Sequence, residues 1–257
     1  MNYNLPFIPE RPAKPRNQGL TMVMDKGLSL SEAANMIDSG SEFIDFVKLG
    51  FGTSLVTYHL REKIKLYKQA GLRPYLGGTL FELFIIRNMY DDFVRFVDSL
   101  ELDLVEVSDG SMAMNHSVKC EYISKLAKKY TVISEVGSKQ ADVHIPDDEW
   151  VAMMKTEIDA GSWKVIAEAR ESGNIGIYNK DNSANVSLID GIVEHIKIEN
   201  VIWEAPLKSQ QAWFIKLLGA NVNLGNIATN EVISLETLRL GLRGDTFFQF
   251  LPKELKQ

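Results

Sequence analysis

Charged and amide side chains recur along this sequence at the ends of short apolar segments, where they could do chemistry together. They are Asp25, Lys48, Glu106, Glu135, Glu168, Arg170, Glu204, Asn223 and Asn226. The clearest case is the stretch 131–139, TVISEVGSK, in which Glu135 and Lys139 follow an apolar β-branched run. A carboxylate or ammonium beside buried apolar groups is costly to desolvate unless it is paired or binds something. These side chains are therefore candidates for a polar site.

The segments that carry them alternate with amphipathic stretches. Predicted strands begin near Leu20, Phe43, Arg73, Leu104, Thr131, Trp163, Asn200 and Asn221, and a helix is predicted after each one. Ser29 or Ser31 is the expected N-cap of the first helix. Thr79 and Glu82 have capping-box spacing ahead of one long helix that ends near Leu100. Eight such units in a chain of 257 residues predict an α/β protein, a single-domain (β/α)8 TIM barrel.

Composition narrows the class of protein. A net charge of −6 argues against a nucleic-acid binder, and the absence of a long apolar run argues against a membrane span. One cysteine and no apolar leader predict a cytoplasmic protein. The prolines of residues 1–18 predict an extended N-terminal arm, which could offer Arg16 to an anion, and residues 19–257 form the predicted barrel. Association into a homo-oligomer is compatible with such a barrel.

In a barrel the carboxyl ends of all strands meet at one face, where active sites of this fold lie. Alternation along the strands predicts that Lys48, Glu168 and Glu204 point inward, and Asp25 with Val23. Each carboxylate alone could be half of a structural ion pair. Five carboxylates at one mouth repel each other strongly, however, and need cations: Lys48, Lys139, Arg170 and a bound Mg²⁺. Oxygen ligands without clustered Cys or His favour Mg²⁺ or Mn²⁺ over Zn²⁺.

Several motifs in the same order resemble the phosphosulfolactate synthase family, known from coenzyme M biosynthesis. They are RPAKPRNQGLTMVMDKG, DFVKLGFGTS, GGTLFE, EVSDGS, SEVGSK and NLGNI, and the likeness runs from about Arg11 to Phe250. The resemblance implies a (β/α)8 barrel and a Mg²⁺-dependent addition of sulfite to phosphoenolpyruvate that gives (2R)-phospho-3-sulfolactate. The expected partners are therefore small anionic substrates.

The resemblance also implies roles for individual residues. Lys139, within SEVGSK, matches the expected general acid, and Glu106, Glu135 and Glu168 are the expected metal ligands by analogy. Lys48, Arg170 and Arg16 are the expected ligands of the substrate's phosphate, carboxylate and sulfite groups. Asn226 lies where the eighth predicted strand leads into the last helix, a place where barrels often bind phosphate. It is therefore also a predicted substrate ligand.

Two other hypotheses remain open at this point. A lysine at a barrel strand end also suits a Schiff-base lyase or aldolase acting on a phosphorylated keto acid. The family to which the motifs point also includes plant heat-stress-associated proteins, so a non-catalytic, stress-related protein on the same barrel is the other alternative.

Overall fold

The computed structural model describes residues 2–137 and 145–256. Eight parallel strands alternate with helices in chain order. The strands are β1 (Thr21–Asp25), β2 (Phe46–Leu49), β3 (Arg73–Leu76), β4 (Leu104–Val107), β5 (Thr131–Val136), β6 (Lys164–Ala167), β7 (Val201–Glu204) and β8 (Leu224–Ala228). The α-helices are α1 (Leu30–Gly40), α2 (Leu60–Gln69), α3 (Gly78–Ile85), α4 (Tyr90–Ser99), α5 (His116–Leu126), α6 (Asp147–Asp159), α7 (Val186–His195), α8 (Lys208–Leu218) and α9 (Val232–Arg239).

The strands form one sheet in the order β3-β2-β1-β8-β7-β6-β5-β4, which curls into a nearly closed barrel. At the seam between β3 and β4, Arg73 at the start of β3 pairs with Asp103 just before β4, at 2.9 Å. The predicted (β/α)8 fold is therefore confirmed. Among the described residues, no helix is both long and apolar enough to cross a membrane.

Alternation along the strands separates two apolar layers. Side chains that point inward fill the barrel interior, and they are Leu20, Met22, Phe46, Tyr75, Leu104, Ile133, Ile166 and Ile202. Side chains that point outward, such as Val23, Val47, Val165 and Trp203, pack under the helices. With the interior filled by apolar groups lower down, the polar residues at the carboxyl ends of the strands form the floor of the mouth.

Two local predictions about helices have different outcomes. Ser29 caps α1 as expected, because its hydroxyl accepts from the Glu32 amide and the Glu32 carboxylate accepts from the Ser29 amide. The single long helix after β3 is wrong: α3 ends at Ile85 and α4 begins at Tyr90, with Asn88 at φ 55° between them. The Thr79–Glu82 capping box is also wrong. Glu82 instead accepts from the Ser108 hydroxyl and, at 2.7 Å, from the Ser111 amide.

No helix or strand is assigned within residues 2–18, which lie against the amino ends of the strands. Arg11 donates to Glu236 at 2.9 Å and to the Gly19 carbonyl at 2.9 Å. Lys14 donates to the carbonyls of Ser41 and Ile44. Buried polar main-chain groups at this end of the barrel are thus satisfied by cationic side chains of the arm.

Candidate functional site

A cavity of about 670 Å³ opens at the carboxyl ends of the strands. Its lining includes six of the predicted site residues, namely Lys48, Glu135, Glu168, Arg170, Glu204 and Asn226. Cavities that bind small molecules in proteins have volumes in the range of about 300–1,000 Å³. Glu106, just below, contacts Lys48 from β4. Lys139 lies outside the described residues.

Lys48, near the end of β2, is the central cation of this site. Its Nζ atom lies 3.0 Å from Glu106, 3.2 Å from Glu135 and 3.4 Å from Glu204. Burial disfavours the ammonium, but these carboxylates outweigh burial and hold the pKa of Lys48 well above its usual value. Lys48 therefore remains charged at neutral pH and serves first to neutralise carboxylates.

Glu106 is drawn towards the seam of the barrel. One of its oxygens, Oε1, accepts both from Lys48 and from the Gly78 amide at the first turn of α3. The phenol of Tyr75 lies beside it, and burial, reinforced by the Glu106 charge, raises the pKa of Tyr75. Glu106 is thus anchored by the Lys48 ammonium and by an amide at the N-terminus of α3.

Glu135, Glu168 and Glu204 form the group that could hold a metal ion. One oxygen from each lies within 4.8 Å of the other two, and all three side chains are buried. Three buried carboxylates from β5, β7 and the end of β6 are hard oxygen donors, the kind that suits Mg²⁺ or Mn²⁺. The set expected from the sequence was Glu106, Glu135 and Glu168. The described structure groups Glu204 with the last two and gives Glu106 other partners.

Within this group, Glu204 has a raised pKa. Burial raises its pKa to about 8, with Lys48 opposing the shift and Glu135 adding to it. Its Oε2 atom accepts from the Ala169 amide at 2.8 Å. Burial, with the Glu135 charge adding to it, thus disfavours the ionised form of Glu204 in the absence of a further cation. A divalent cation held by the three carboxyl groups would favour the ionised form.

Gly137 sets how closely β5 approaches Glu168. A Cβ atom at this position would lie 2.4 Å from Cβ of Glu168 and 2.9 Å from the Trp150 ring, and the backbone has φ 141°. A residue with a side chain would therefore push Glu168 away from Glu135. The glycine of the SEVGSK motif is needed for the geometry of the carboxylates.

Asn226 and Arg170 lie on the opposite side of the cavity from Gly78. Asn226 has a left-handed backbone, φ 56°, and its side-chain Nδ2 atom donates to the Ala169 carbonyl at 3.3 Å. Arg170 is exposed, and next to it Glu171 pairs with Lys26 across the mouth. Lys26 was not among the predicted site residues, although its position after β1 is a signal that could have identified it.

Three residues predicted for the site lie elsewhere. Asn223 lies at the amino ends of the strands, where its side-chain amide donates to the Val201 carbonyl at 3.0 Å. Asp25 points outward, where its carboxylate contacts Lys63 of α2 at 2.7 Å and the Tyr67 hydroxyl at 2.8 Å. Arg16 lies at the amino ends of the strands and forms a bidentate pair with Asp45 at 3.0 Å. Its side chain is 4% exposed, so its donors are used inside the protein. The inward orientation predicted for Asp25 is wrong, and Arg16 has a structural role at the far end.

Comparisons with known proteins point to the same family as the sequence motifs. The family model described as (2R)-phospho-3-sulfolactate synthase matches residues 9–245. The chain belongs to the phosphosulfolactate synthase family. The phosphosulfolactate synthase of Bacillus subtilis is 40% identical over 244 residues, covering 94% of this chain and 97% of the relative. That of Methanocaldococcus jannaschii is 41% identical over 236 residues, covering 90% and 94%.

Solved structures at low identity support the fold alone. The 3-hexulose-6-phosphate synthase of Salmonella typhimurium has a TM-score of 0.55 at 13% identity, covering 87% of this chain and all of that one. The thiamine phosphate pyrophosphorylase of Pyrococcus furiosus has a TM-score of 0.52 at 13% identity, covering 86% and 96%.

Proposed function

We propose that this chain is a phosphosulfolactate synthase, a lyase that joins sulfite to phosphoenolpyruvate and gives (2R)-phospho-3-sulfolactate. Two findings support the proposal: membership of the family, and the buried cluster of Glu135, Glu168 and Glu204 beside Lys48. The cluster carries most of the argument, because its arrangement suits a substrate that gains negative charge during the reaction. The proposed setting is the cytoplasm, where the substrates are small dissolved anions.

The charge balance of the cavity supports a metal requirement. Its described lining has five acidic side chains, Glu135, Glu168, Glu171, Glu204 and Glu231, against three cations, Lys26, Lys48 and Arg170. Even with Glu204 protonated, the negative charges outnumber the positive ones. A substrate with a phosphate and a carboxylate would be repelled from such a cavity unless more positive charge were present. Glu135, Glu168 and Glu204 would hold Mg²⁺, which when bound would stabilise the negative charge that develops on the substrate carboxylate.

The bond changes in the proposed reaction balance without an oxidant. The sulfur lone pair of sulfite forms a bond to the methylene carbon of phosphoenolpyruvate, and the π electrons move towards the carboxylate. A proton then bonds to the adjacent carbon, and we assign its delivery to the ammonium of Lys139. Lys139 follows Glu135, a residue of the cavity lining, by four positions in the sequence, and the family motif is what supports the assignment.

The remaining cations have different parts in this proposal. Lys48 is committed to three carboxylates, so its contribution is to hold Glu135 and Glu204 in place more than to bind substrate directly. Arg170 and Lys26, at the rim, are better placed to meet the phosphate or sulfite groups as they enter. Asn226 would position the substrate from the β8 side.

The bonding of Lys48 also bears on the Schiff-base alternative. A lysine that forms a Schiff base needs a neutral amine, which enzymes obtain by lowering the pKa of the lysine. The pKa of Lys48 is raised by its carboxylate neighbours, which argues against Lys48 in that role. The alternative would then rest on Lys139 alone.

Product formation tests the proposal directly. The purified chain is incubated with phosphoenolpyruvate, sulfite and Mg²⁺, and the phosphorus resonance of phosphosulfolactate is followed by NMR. We expect product with the wild type, none above background with Lys139→Ala, and near-normal rates with Lys155→Ala, an α6 lysine outside the cavity lining. Absence of product from the wild type would exclude the synthase and favour the non-catalytic alternative. Trapping of a keto acid by borohydride would favour the Schiff-base alternative instead.

A further inference from the structure

Lys119, on α5, is fully buried on the outer side of the barrel wall, behind the carboxylate cluster. Its ammonium contacts three different elements: the Asp109 carboxylate at 2.8 Å, the Glu157 carboxylate at 2.8 Å and the main-chain carbonyl of Glu135 at 2.6 Å. A lysine ammonium has three donors, so each donor of Lys119 is matched by one of these acceptors.

The three acceptors lie where they affect the mouth of the barrel. Glu135 points its carboxylate into the cavity while its carbonyl faces outward to Lys119. Asp109 belongs to the loop after β4, the same loop whose Ser111 lines the cavity. Glu157 belongs to α6, which also packs Trp150 near Gly137. Lys119 thus joins α5, α6, the β4–α5 loop and the end of β5 at one atom.

The charges of this network leave little freedom to move. Glu157 is fully buried, and its Oε1 atom also lies 3.2 Å from His116. Burial disfavours the ammonium of Lys119, but Glu157 and Asp109 outweigh burial and raise the pKa of Lys119. A buried, hydrogen-bonded charge of this kind fixes the atoms around it, because any displacement leaves a charge unpaired in a low-dielectric setting.

We propose that Lys119 is a positioning residue, which holds the end of β5 from outside the barrel so that Glu135 reaches the other metal-binding carboxylates. The inference rests on the proposed function only in taking Glu135, Glu168 and Glu204 as the metal site. The physical claim is that the Glu135 carbonyl, once released by loss of Lys119, lets the strand end shift relative to Glu168. Loss of a group that orients a metal ligand commonly weakens metal binding about 10- to 100-fold.

Lys63 offers a matched control. It is also a fully buried lysine on the helix after a strand, and it contacts the outward-facing Asp25 at 2.7 Å and the Leu28 carbonyl at 2.9 Å. Its network touches β1 and the β1–α1 loop but none of the three clustered carboxylates. Lys63→Met should therefore cost stability in the same way as Lys119→Met while leaving the metal site intact.

The test uses the full chain with two measurements. Mn²⁺ binding is titrated by calorimetry, and hydrogen exchange is followed in peptides that cover residues 131–137. For Lys119→Met we expect a Mn²⁺ dissociation constant at least tenfold higher than that of the wild type. We also expect the exchange of residues 131–137 to increase relative to the wild type, and by more than in the other strands. For Lys63→Met we expect a change in the dissociation constant of less than threefold. If Lys119→Met does not fold, the double variant Lys119→Met/Glu157→Gln replaces it, since removing both charges of a buried pair is often close to neutral.

Each outcome decides a stated point. Wild-type Mn²⁺ affinity and unchanged exchange at 131–137 in the Lys119 variants would overturn the positioning role. Equal weakening of Mn²⁺ binding in Lys63→Met would also overturn it, because general destabilisation would then explain the result. If the wild type itself binds no Mn²⁺, the metal part of the proposed function fails. The exchange measurement alone then decides whether Lys119 fixes the end of β5.

Discussion

Replacing Lys48 by methionine is the most informative single perturbation of the mouth, because the ammonium contacts three buried carboxylates. The distances of 3.0 and 3.2 Å to Glu106 and Glu135 correspond to attractions of about 5 kcal/mol each at an effective dielectric near 20, whereas Glu204, at 3.4 Å, largely holds its proton at pH 7. Most of that energy offsets the cost of burying the charges. Breaking a buried pair by removing one partner typically costs about 3–5 kcal/mol, and we expect Lys48→Met to lower the free energy of unfolding at pH 7 by that amount.

The pH dependence of this loss has a defined sign. The folded-state pKa of Glu204 is about 8, above its unfolded value of 4.5. The folded protein therefore binds this proton more tightly than the unfolded chain does. The free energy of unfolding falls as pH rises between these two pKa values and stops falling above about pH 8. Lys48 opposes that raised pKa. Without Lys48 the pKa of Glu204 rises further, and the decline continues above pH 8 in the variant. The gap in stability between the two proteins should therefore widen between pH 8 and pH 9, by up to about 1.4 kcal/mol for one group.

Urea unfolding at pH 7, 8 and 9 measures both effects. Lys26→Met is the control, since Lys26 pairs with Glu171 at the same mouth but both side chains are about half exposed, and such pairs contribute about 0–1 kcal/mol. A loss at pH 7 below about 1 kcal/mol for Lys48→Met, or a gap that stays constant from pH 7 to pH 9, would refute the electrostatic account of the cluster.

Three further predictions follow from the described contacts. Gly137→Ala should lower the free energy of unfolding by about 2–4 kcal/mol through backbone strain and overpacking against Glu168. Gly27→Ala, also at positive φ but with open space around it, should lower it less. Equal losses in urea unfolding would contradict the crowding at Glu168. Glu204→Gln should raise the Mn²⁺ dissociation constant, measured by calorimetry, at least tenfold, and Glu106→Gln should change it less. The opposite order would indicate that Glu106 is a metal ligand. Arg16→Met should cost about 3–5 kcal/mol of stability but leave the KM for phosphoenolpyruvate within twofold, and a tenfold rise in KM would return Arg16 to the substrate site.

The barrel could be predicted from the sequence because its strands are short apolar runs separated by helices with clear beginnings and ends. The orientation of Lys48, Glu168 and Glu204 was also predictable, since an inward apolar residue two positions earlier fixes the face of each strand. β1 offered no such guide: its run Thr-Met-Val-Met is apolar at nearly every position, and Met22 proved to be the inward residue. Asp25 was therefore placed on the wrong face.

Other features depend on partners that are distant in the chain. Glu82 has the spacing of a capping box with Thr79, but Ser108 and Ser111 lie close enough in the fold to take its carboxylate. Arg16 has no local acid, and only the folded chain brings it to Asp45. The preference for Glu204 over Glu106 in the cluster follows from the Gly78 amide, which draws Glu106 to the seam. Spacing along the sequence carries no signal of that amide.

The contact between Arg11 and Glu236 has a consequence for how the protein is made. The two residues are separated by 225 positions, so a segment that is synthesised early docks on one that is synthesised much later. At synthesis rates of about 5–20 residues per second, the arm waits roughly 10–45 s for its partner. During that time Arg11 lacks the carboxylate with which it pairs in the folded protein. Closure of the ring by β8 and α9 and docking of the arm are thus expected late in folding, only after α9 has been synthesised.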